Sequence, residues 1–534
     1  MDNSKSIVKQ ASILAVAGIF VRIIGVLYRS PLTALIGDEG IGYYSTAYNI
    51  YAMILLISSY SIPTAISKLI SEQIAIKQYK NAKKILQCSF IYICVIGGSA
   101  ALIAFFIAPY IVPKYAVFAL RILCPTIFLS GLVGVLRGYF QAHSTTLYTS
   151  VSQIIEQIFN AVVSIGAAWL FIQPFINGNH SLMASYGAGG SALGTGAGVL
   201  IALVYMTFMF LRKKNKMIDE SDGIEYIDTS KAIFKSILSI VTPIIISTCI
   251  FNIVTTVDMY IYYFFMNYKG MDSVLMSQLY GVYSGKFMVL INVPIALASA
   301  MSTASIPAVS GSYITQNFKE TRKLINNGIN ATMLVLIPSF IGMAVLSYPI
   351  MGTLFPQKQT LQIAATVLTV GSPAIGFYGL STFTNGILQA IGHVKEPLKN
   401  ASKALIIYAM MLSICLFLLP KEWALYILAA CNIGYAAIVC FLNQRALSRI
   451  LNFKIHLRRT VLLPLLASIF MGVVVYLVYH GLFNLTRMVF IPLFISIIIG
   501  IVVYFIVVLY LYKDHPEYLS NIPYVDRILR KINH

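Results

Sequence analysis

Charged side chains are scarce in this chain: 18 Asp and Glu and 38 Lys and Arg make up 10% of its 534 residues. A soluble domain carries about 25%, so a water-soluble globule is excluded. Cysteine is sparse too. Cys88, Cys94, Cys124, Cys249, Cys415, Cys431 and Cys440 all fall in apolar runs, with no C-x-x-C spacing. That pattern points to small buried thiols, not to disulfides or a metal site. The phosphate-loop pattern is missing: "GVYSGKF" (281–287) has three residues between its glycines and no Ser or Thr after its lysine. An internal ATPase is therefore excluded. No large loop separates the apolar runs on the less basic side, which leaves no place for a catalytic or receptor domain there and disfavours a membrane glycosyltransferase.

Apolar runs of membrane-spanning length fill the rest. The chain is 58% hydrophobic, with a mean hydropathy of +0.81. Runs of this length in lipid must be helices, because only a helix pairs its backbone polar groups within one segment. The fold class expected is an all-α polytopic membrane protein of about fourteen spans: 11–36, 43–68, 87–112, 117–140, 148–172, 188–211, 236–262, 278–304, 328–355, 361–388, 403–420, 423–442, 460–480 and 489–512. The first run is too long for a signal peptide, contains Arg22 and Arg29 and lacks a clear cleavage site, so it reads as a retained helix.

The loops alternate in charge. One side holds the termini and "KQYKNAKK" (77–84), "RKKNK" (212–216), "KETRK" (319–323), "KEPLKNASK" (395–403) and "KIHLRR" (454–459); the other holds "GDEG" (37–40) and "QPFINGNHSLMASYG" (173–187). The positive-inside rule makes the first side, with both termini, cytoplasmic. Topology therefore accounts for most of the +20 net charge, and a nucleic-acid partner is not expected. Arg22, Arg29, Arg137 and Lys286 are left over, deep inside apolar spans.

Three motifs recur in the same order at nearly constant separation. "SIPTAIS" (61–67) is answered by "SIPAVS" (305–310), "YKNAKKIL" (79–86) by "FKETRKLI" (318–325), and "LRGYFQA" (136–142) by "TNGILQA" (384–390). They imply two six-helix lobes in parallel repeat, an arrangement in which transporters place substrate between the halves. The expected organisation is an N-lobe at 1–212, a cytoplasmic linker at 213–232, a C-lobe at 233–445, and two further helices with a cytoplasmic tail at 446–534.

Several spans carry polar faces. Thr149, Gln153, Glu156, Gln157, Asn160 and Ser164 share one face of the fifth, by helical periodicity. Interhelical glue and a substrate or ion cavity both account for such a face. Ser130, Gly134, Arg137 and Gln141 stand at the same offsets in the fourth span as Tyr378, Thr382, Asn385 and Gln389 in its echo. Arg22 and Arg29 lie two turns apart on the first span. A charge at mid-membrane costs about 2.5–3.5 kcal/mol, so two on one face favour a wet cavity or an anionic ligand. Lys286 adds a cation from the second half. Asp258, one turn after Thr255, is a candidate for a coupling cation or for a structural ion pair. Gly190, Gly194 and Gly198 repeat G-x-x-x-G, which suits close helix packing. Tyr44, Tyr48 and Tyr51 share a face as either packing or a sugar-facing wall.

The motifs "RIIGVLYR" with "GDEGIGYY" (22–44), "IPTAISKLISE" (62–72), "LRGYFQA" with "SQIIEQ" (152–157), "YGVYSGK" with "NVPIALASAMSTASIPAVS" (292–310) and "GILQAIGHVKEPLKN" (386–400) occur together and in order. With them the chain resembles the polysaccharide transporter branch of the multidrug/oligosaccharidyl-lipid/polysaccharide (MOP) exporter superfamily, and within it the stage V sporulation protein B and MurJ-like lipid II flippases. The resemblance implies two six-helix lobes around a cationic cavity, with the last two helices forming a groove for a lipid tail. It matches Arg22 to a cavity arginine, Arg29 approximately to a second, and Lys286 approximately to a basic residue of the eighth helix. A further cavity arginine has no counterpart here, and of two acidic sodium-site positions only Asp258 has a match.

The function expected is transport, not enzymatic catalysis: a flippase moving an undecaprenyl-diphosphate-linked cell-wall precursor, lipid II first, by alternating access. Its substrate-binding residues would be Arg22, Arg29, Lys286, Arg137, Glu156, Gln153, Asn385 and Gln389, with Asp258 as the coupling-ion candidate. No cofactor or metal is expected; Na+, H+ or the membrane potential would drive transport. The expected partners are the lipid-linked diphosphate sugar, membrane lipids and cell-wall synthesis enzymes, with the chain itself a monomer. The alternatives are a Wzx-like carrier of another polysaccharide unit, a cation-coupled drug exporter, and a non-transporting scaffold for wall synthesis.

Overall fold

A computed structural model describes residues 17–18, 20–143, 145–175, 178–217 and 228–512. Half of the expected linker (218–227), both termini and hence the expectation that the termini share one side lie outside the described residues. The described residues are helical with short connections and contain no strand. Eleven helices among them are long and apolar enough to cross a membrane, or twelve when one bent pair counts as a single span.

The chain divides into two compact units, Met1–Gly285 and Lys286–His534. The division falls later than the expected linker at 213–232. In the first unit, helical residues 20–27 turn at Tyr28 into α1 (Arg29–Leu55), followed by α2 (Ile62–Ala75), α3 (Tyr79–Tyr92), α4 (Gly98–Ile111), α5 (Val117–Ala142), α6 (Thr146–Ile172), α7 (His180–Met217), α8 (Ser230–Tyr268) and α9 (Ser273–Tyr280). Helix α8 contains the expected span 236–262. It opens the second repeat in sequence, yet packs against α1, α2 and α3.

"GDEG" is not the exposed loop expected between the first two spans. Gly37 leaves helical geometry, at φ 70°, ψ 175°, so that two helices meet there at a kink with no exposed loop between them. A side chain at this φ would be strained, which is why glycine stands there. Asp38 and Glu39 are buried. Glu39 is tolerated inside because partners come with it: Tyr43 Oη donates to its Oε1 at 2.8 Å, and His180 Nδ1 lies 3.4 Å from its Oε2. The helix thus breaks at Gly37, between the first two expected spans, while the acids beside the break are buried and not exposed.

The glycine stripe of α7 seats it on α6. A Cβ added to Gly190 would stand 2.5 Å from Ala168 Cα, and one on Gly194 2.6 Å from Ser164 Cα. At this separation Ser164 Oγ donates to the Ser191 carbonyl of α7 at 3.0 Å.

In the second unit follow α10 (Met288–Ile314), α11 (Phe318–Val345), α12 (Ser347–Leu354), α13 (Leu361–Gly371), α14 (Ala374–Ala390), α15 (Lys395–Leu418), α16 (Ala424–Leu451), α17 (Leu463–Thr486) and α18 (Phe490–Leu511). The expected span 361–388 is broken: α13 and α14 meet at 47°. Pro373 sits at that break without an N–H to continue the helix. Helices α17 and α18 pack together and onto α11 through Met471, Val475, Tyr479 and Leu493. Helices α4 and α18 present Leu102, Phe106, Phe494 and Ile501 outward, an apolar exterior that suits lipid and not water.

Candidate functional site

Several of the expected residues gather in one cluster of the first unit, and Lys286 and Asn385 each have polar partners of their own in the second. In the first unit the cluster is built on α1, α5, α6 and α7. Arg29, half-buried, points Nη1 at the Gly285 carbonyl (3.5 Å), with its guanidinium 5.8 Å from the Tyr44 ring centre. No carboxylate pairs with it among the described residues. The Tyr44, Tyr48 and Tyr51 rings continue from it as a ladder, with centroids 5.7 and 5.6 Å apart. Tyr44 Oη shares a hydrogen bond with Thr195 Oγ1 of α7 (3.1 Å), and Tyr51 Oη one with Ser130 Oγ of α5 (3.4 Å). Tyr48 lies within electrostatic reach of both Arg29 and Glu156.

Arg137 and Glu156, both expected to meet substrate, meet each other. Arg137 Nη2 donates to Glu156 Oε2 at 2.7 Å, and its Nε to Ser152 Oγ at 2.9 Å. The pair joins α5 to α6 and is close to neutral, so it adds no net attraction for an anion. The uncompensated positive charge of this cluster is therefore Arg29's. Gln153 is half-buried on the same helix, and Arg22 is exposed on the helical residues before Tyr28. Those residues run along α6, where Ile24, Tyr28 and Leu32 pack with Ala161 and Ala168.

Asp258 of α8 is fully buried and accepts a hydrogen bond from Tyr283 Oη at 3.2 Å.

In the second unit Lys286 is 1% exposed. Its Nζ donates to Thr360 Oγ1 at 3.2 Å and lies 5.5 Å from the Phe355 ring centre. Asn385 holds the place in α14 that Arg137 holds in α5, and it too forms a clamp: Asn443 Nδ2 of α16 donates to Asn385 Oδ1 at 2.7 Å, and Asn400 Nδ2 of α15 donates to Asn443 Oδ1 at 2.9 Å. Tyr378 Oη donates to Asn432 Oδ1. Gln389, by contrast, is exposed at the end of α14.

Asn443, Asn432 and Thr360 were not among the expected residues. The signal for the first two was present, since Asn432, Tyr435 and Asn443 fall on one face of an apolar run. Nothing local marks Thr360, because it lies in a connection and its lysine is distant in sequence.

A polytopic helical membrane protein with polar clusters held inside each half is the class that this fold defines. The chain belongs to the polysaccharide biosynthesis protein family, whose model matches residues 7–313. It is 23% identical to the lipid II flippase MurJ of Bacillus subtilis (strain 168) over 499 residues, 89% of each chain. It is also 23% identical to stage V sporulation protein B of the same organism over 461 residues, 85% of this chain and 86% of that one. Among solved structures, lipid II flippase MurJ in an inward closed conformation matches with a TM-score of 0.71 and 20% identity, covering 94% of this chain and 99% of that chain. An outward-facing multidrug resistance MATE family transporter of the MOP superfamily matches at 0.59 and 14% identity, covering 84% and 97%. These structural matches show a shared fold.

Proposed function

We propose that the chain is a flippase that carries an undecaprenyl-diphosphate-linked cell-wall precursor, lipid II first, from the inner to the outer leaflet by alternating access. The observation that carries this reading is Arg29: a guanidinium inside an apolar span, held by a carbonyl and an aromatic face, with no carboxylate against it among the described residues. A permanently charged group in that setting is compensated when an anion arrives, and guanidinium suits bidentate phosphate contacts. Arg22 and Lys286 extend the cation set. The names of the Bacillus relatives support the passenger's class.

The membrane potential is one candidate drive. Moving one negative charge outward from a negative interior gains about 2.3 kcal/mol per 100 mV. Coupling to Na+ or H+ would fall to Asp258, whose carboxylate accepts a hydrogen bond from Tyr283 Oη.

The passenger is tested by offering purified protein in vesicles three fluorescent cargoes: lipid II, an undecaprenyl-diphosphate sugar lacking the peptide, and a cationic drug. Lipid II is expected to become accessible on the far leaflet faster than the drug. Preference for the peptide-free lipid would favour the Wzx-like alternative. Transport of the drug alone would exclude the flippase reading.

A further inference from the structure

The middle rung of the tyrosine ladder on α1 differs from its neighbours. Tyr44 and Tyr51 are buried, and their hydroxyls are engaged by Thr195 and Ser130. Tyr48 between them is 37% exposed, and its hydroxyl has no hydrogen-bond partner among the described residues. Both Arg29 and Glu156 act on it electrostatically. Charged groups of a membrane helix face protein or water, so the open side of this ring meets a polar medium and not lipid tails. The groups around it are open as well. Arg29 gives Nη1 to the Gly285 carbonyl and meets no other protein acceptor among the described residues. Glu156 takes Arg137 on Oε2 alone, and its side chain is 31% exposed. Gln153, one turn earlier on α6, is half-buried and makes no hydrogen bond among the described residues. Farther along the same face Asn160 is instead occupied, accepting from Ser164 Oγ at 3.0 Å.

We infer that Tyr48 is the platform on which the first pyranose ring of the cargo stacks, with Gln153 and Glu156 Oε1 receiving that sugar's hydroxyl and amide groups. This rests on the flippase reading and names the residue that reads the sugar. In a glycosyl diphosphate the sugar is bonded directly to phosphate, so a phosphate held by Arg29 places the ring next along the ladder. Tyr44 is nearer to the guanidinium but buried, which makes Tyr48 the first rung open to a ligand. One face of a pyranose is a set of C–H bonds whose slight positive charge suits the negative face of an aromatic ring. Its rim carries the hydroxyls that a carboxylate or a carboxamide can bind. A cationic guest would be repelled there by Arg29. The second half does not repeat the device. Counting back from Pro63 and Pro307, Met288, Asn292 and Ile295 stand where Tyr44, Tyr48 and Tyr51 do, so the platform belongs to the first half.

Equilibrium binding of two radiolabelled lipids to the full chain in detergent tests this. One is undecaprenyl diphosphate; the other is the same lipid carrying a single N-acetylhexosamine. Wild type is expected to hold the glycosylated lipid more tightly. Tyr48→Ala is expected to weaken that lipid about tenfold and to leave the bare diphosphate unchanged, which also shows the variant to be folded. Tyr48→Phe keeps the ring face and is expected to bind both lipids much as wild type does. Wild-type preference retained by Tyr48→Ala, an equal loss of both lipids, or a loss by Tyr48→Phe as large as by Tyr48→Ala would overturn the stacking role and leave the flippase reading in place. Failure of wild type to bind either lipid would bring down that reading, and the platform with it.

Discussion

Lys286→Met is expected to cut transport by about a hundredfold while the protein becomes more resistant to heat. The two effects have one cause. An ammonium group carried into a buried setting loses several kcal/mol of hydration, and replacing a buried charge by a well-packed apolar side chain of similar volume is often neutral or stabilising even where the charge is paired. Methionine is close to lysine in length and fills the same space without that penalty, so the fold gains. If binding a diphosphate is what compensates the charge, transport loses what the fold gains; two orders of magnitude correspond to about 2.7 kcal/mol. The check is a thermal midpoint in detergent together with a vesicle transport rate. A fall in both would mean that Lys286 is a structural group whose other contacts the methionine breaks.

The second large effect is on folding. Gly194→Leu is expected to abolish the monodisperse protein altogether. The added side chain would meet the backbone of α6 at Ser164, which has no rotamer to change. To admit it, α6 and α7 must separate, and the Ser164 bond to the Ser191 carbonyl goes with them. Overpacking costs about 1–3 kcal/mol even where side chains can yield, and here backbone must move along a helix pair. Gly166→Leu is the matched control: it lies on α6 with nothing within 4 Å of the added Cβ, and its protein is expected to elute like wild type. Normal elution of Gly194→Leu would show that the stripe does not set the helix separation.

These cases also show what the sequence makes legible. A periodic polar face can be read because period is local: Glu156, Asn160 and Ser164 fall on one side of α6, and all three are used there. That Glu156 is answered by Arg137 could not be read, since each looked like a candidate for substrate and the pairing is a matter of how α5 lies on α6. G-D-E-G has the composition of a turn, and a break does fall at Gly37; that Glu39 beside it is buried could not be read, since its partners include His180, far along the chain. The three recurring motifs put 233–262 at the start of the expected C-lobe, but compactness follows packing, and α8 packs with the first unit.

The central claim is that cations inside the bilayer are kept there for a diphosphate passenger. Its most direct test is transport of labelled lipid II in vesicles, with and without an imposed potential, by wild type and by Arg22→Ala and Arg29→Ala. The account predicts that an interior-negative potential speeds the wild type, and that both variants insert and fold normally but carry almost nothing at any potential. Wild-type rates from either folded variant would contradict it.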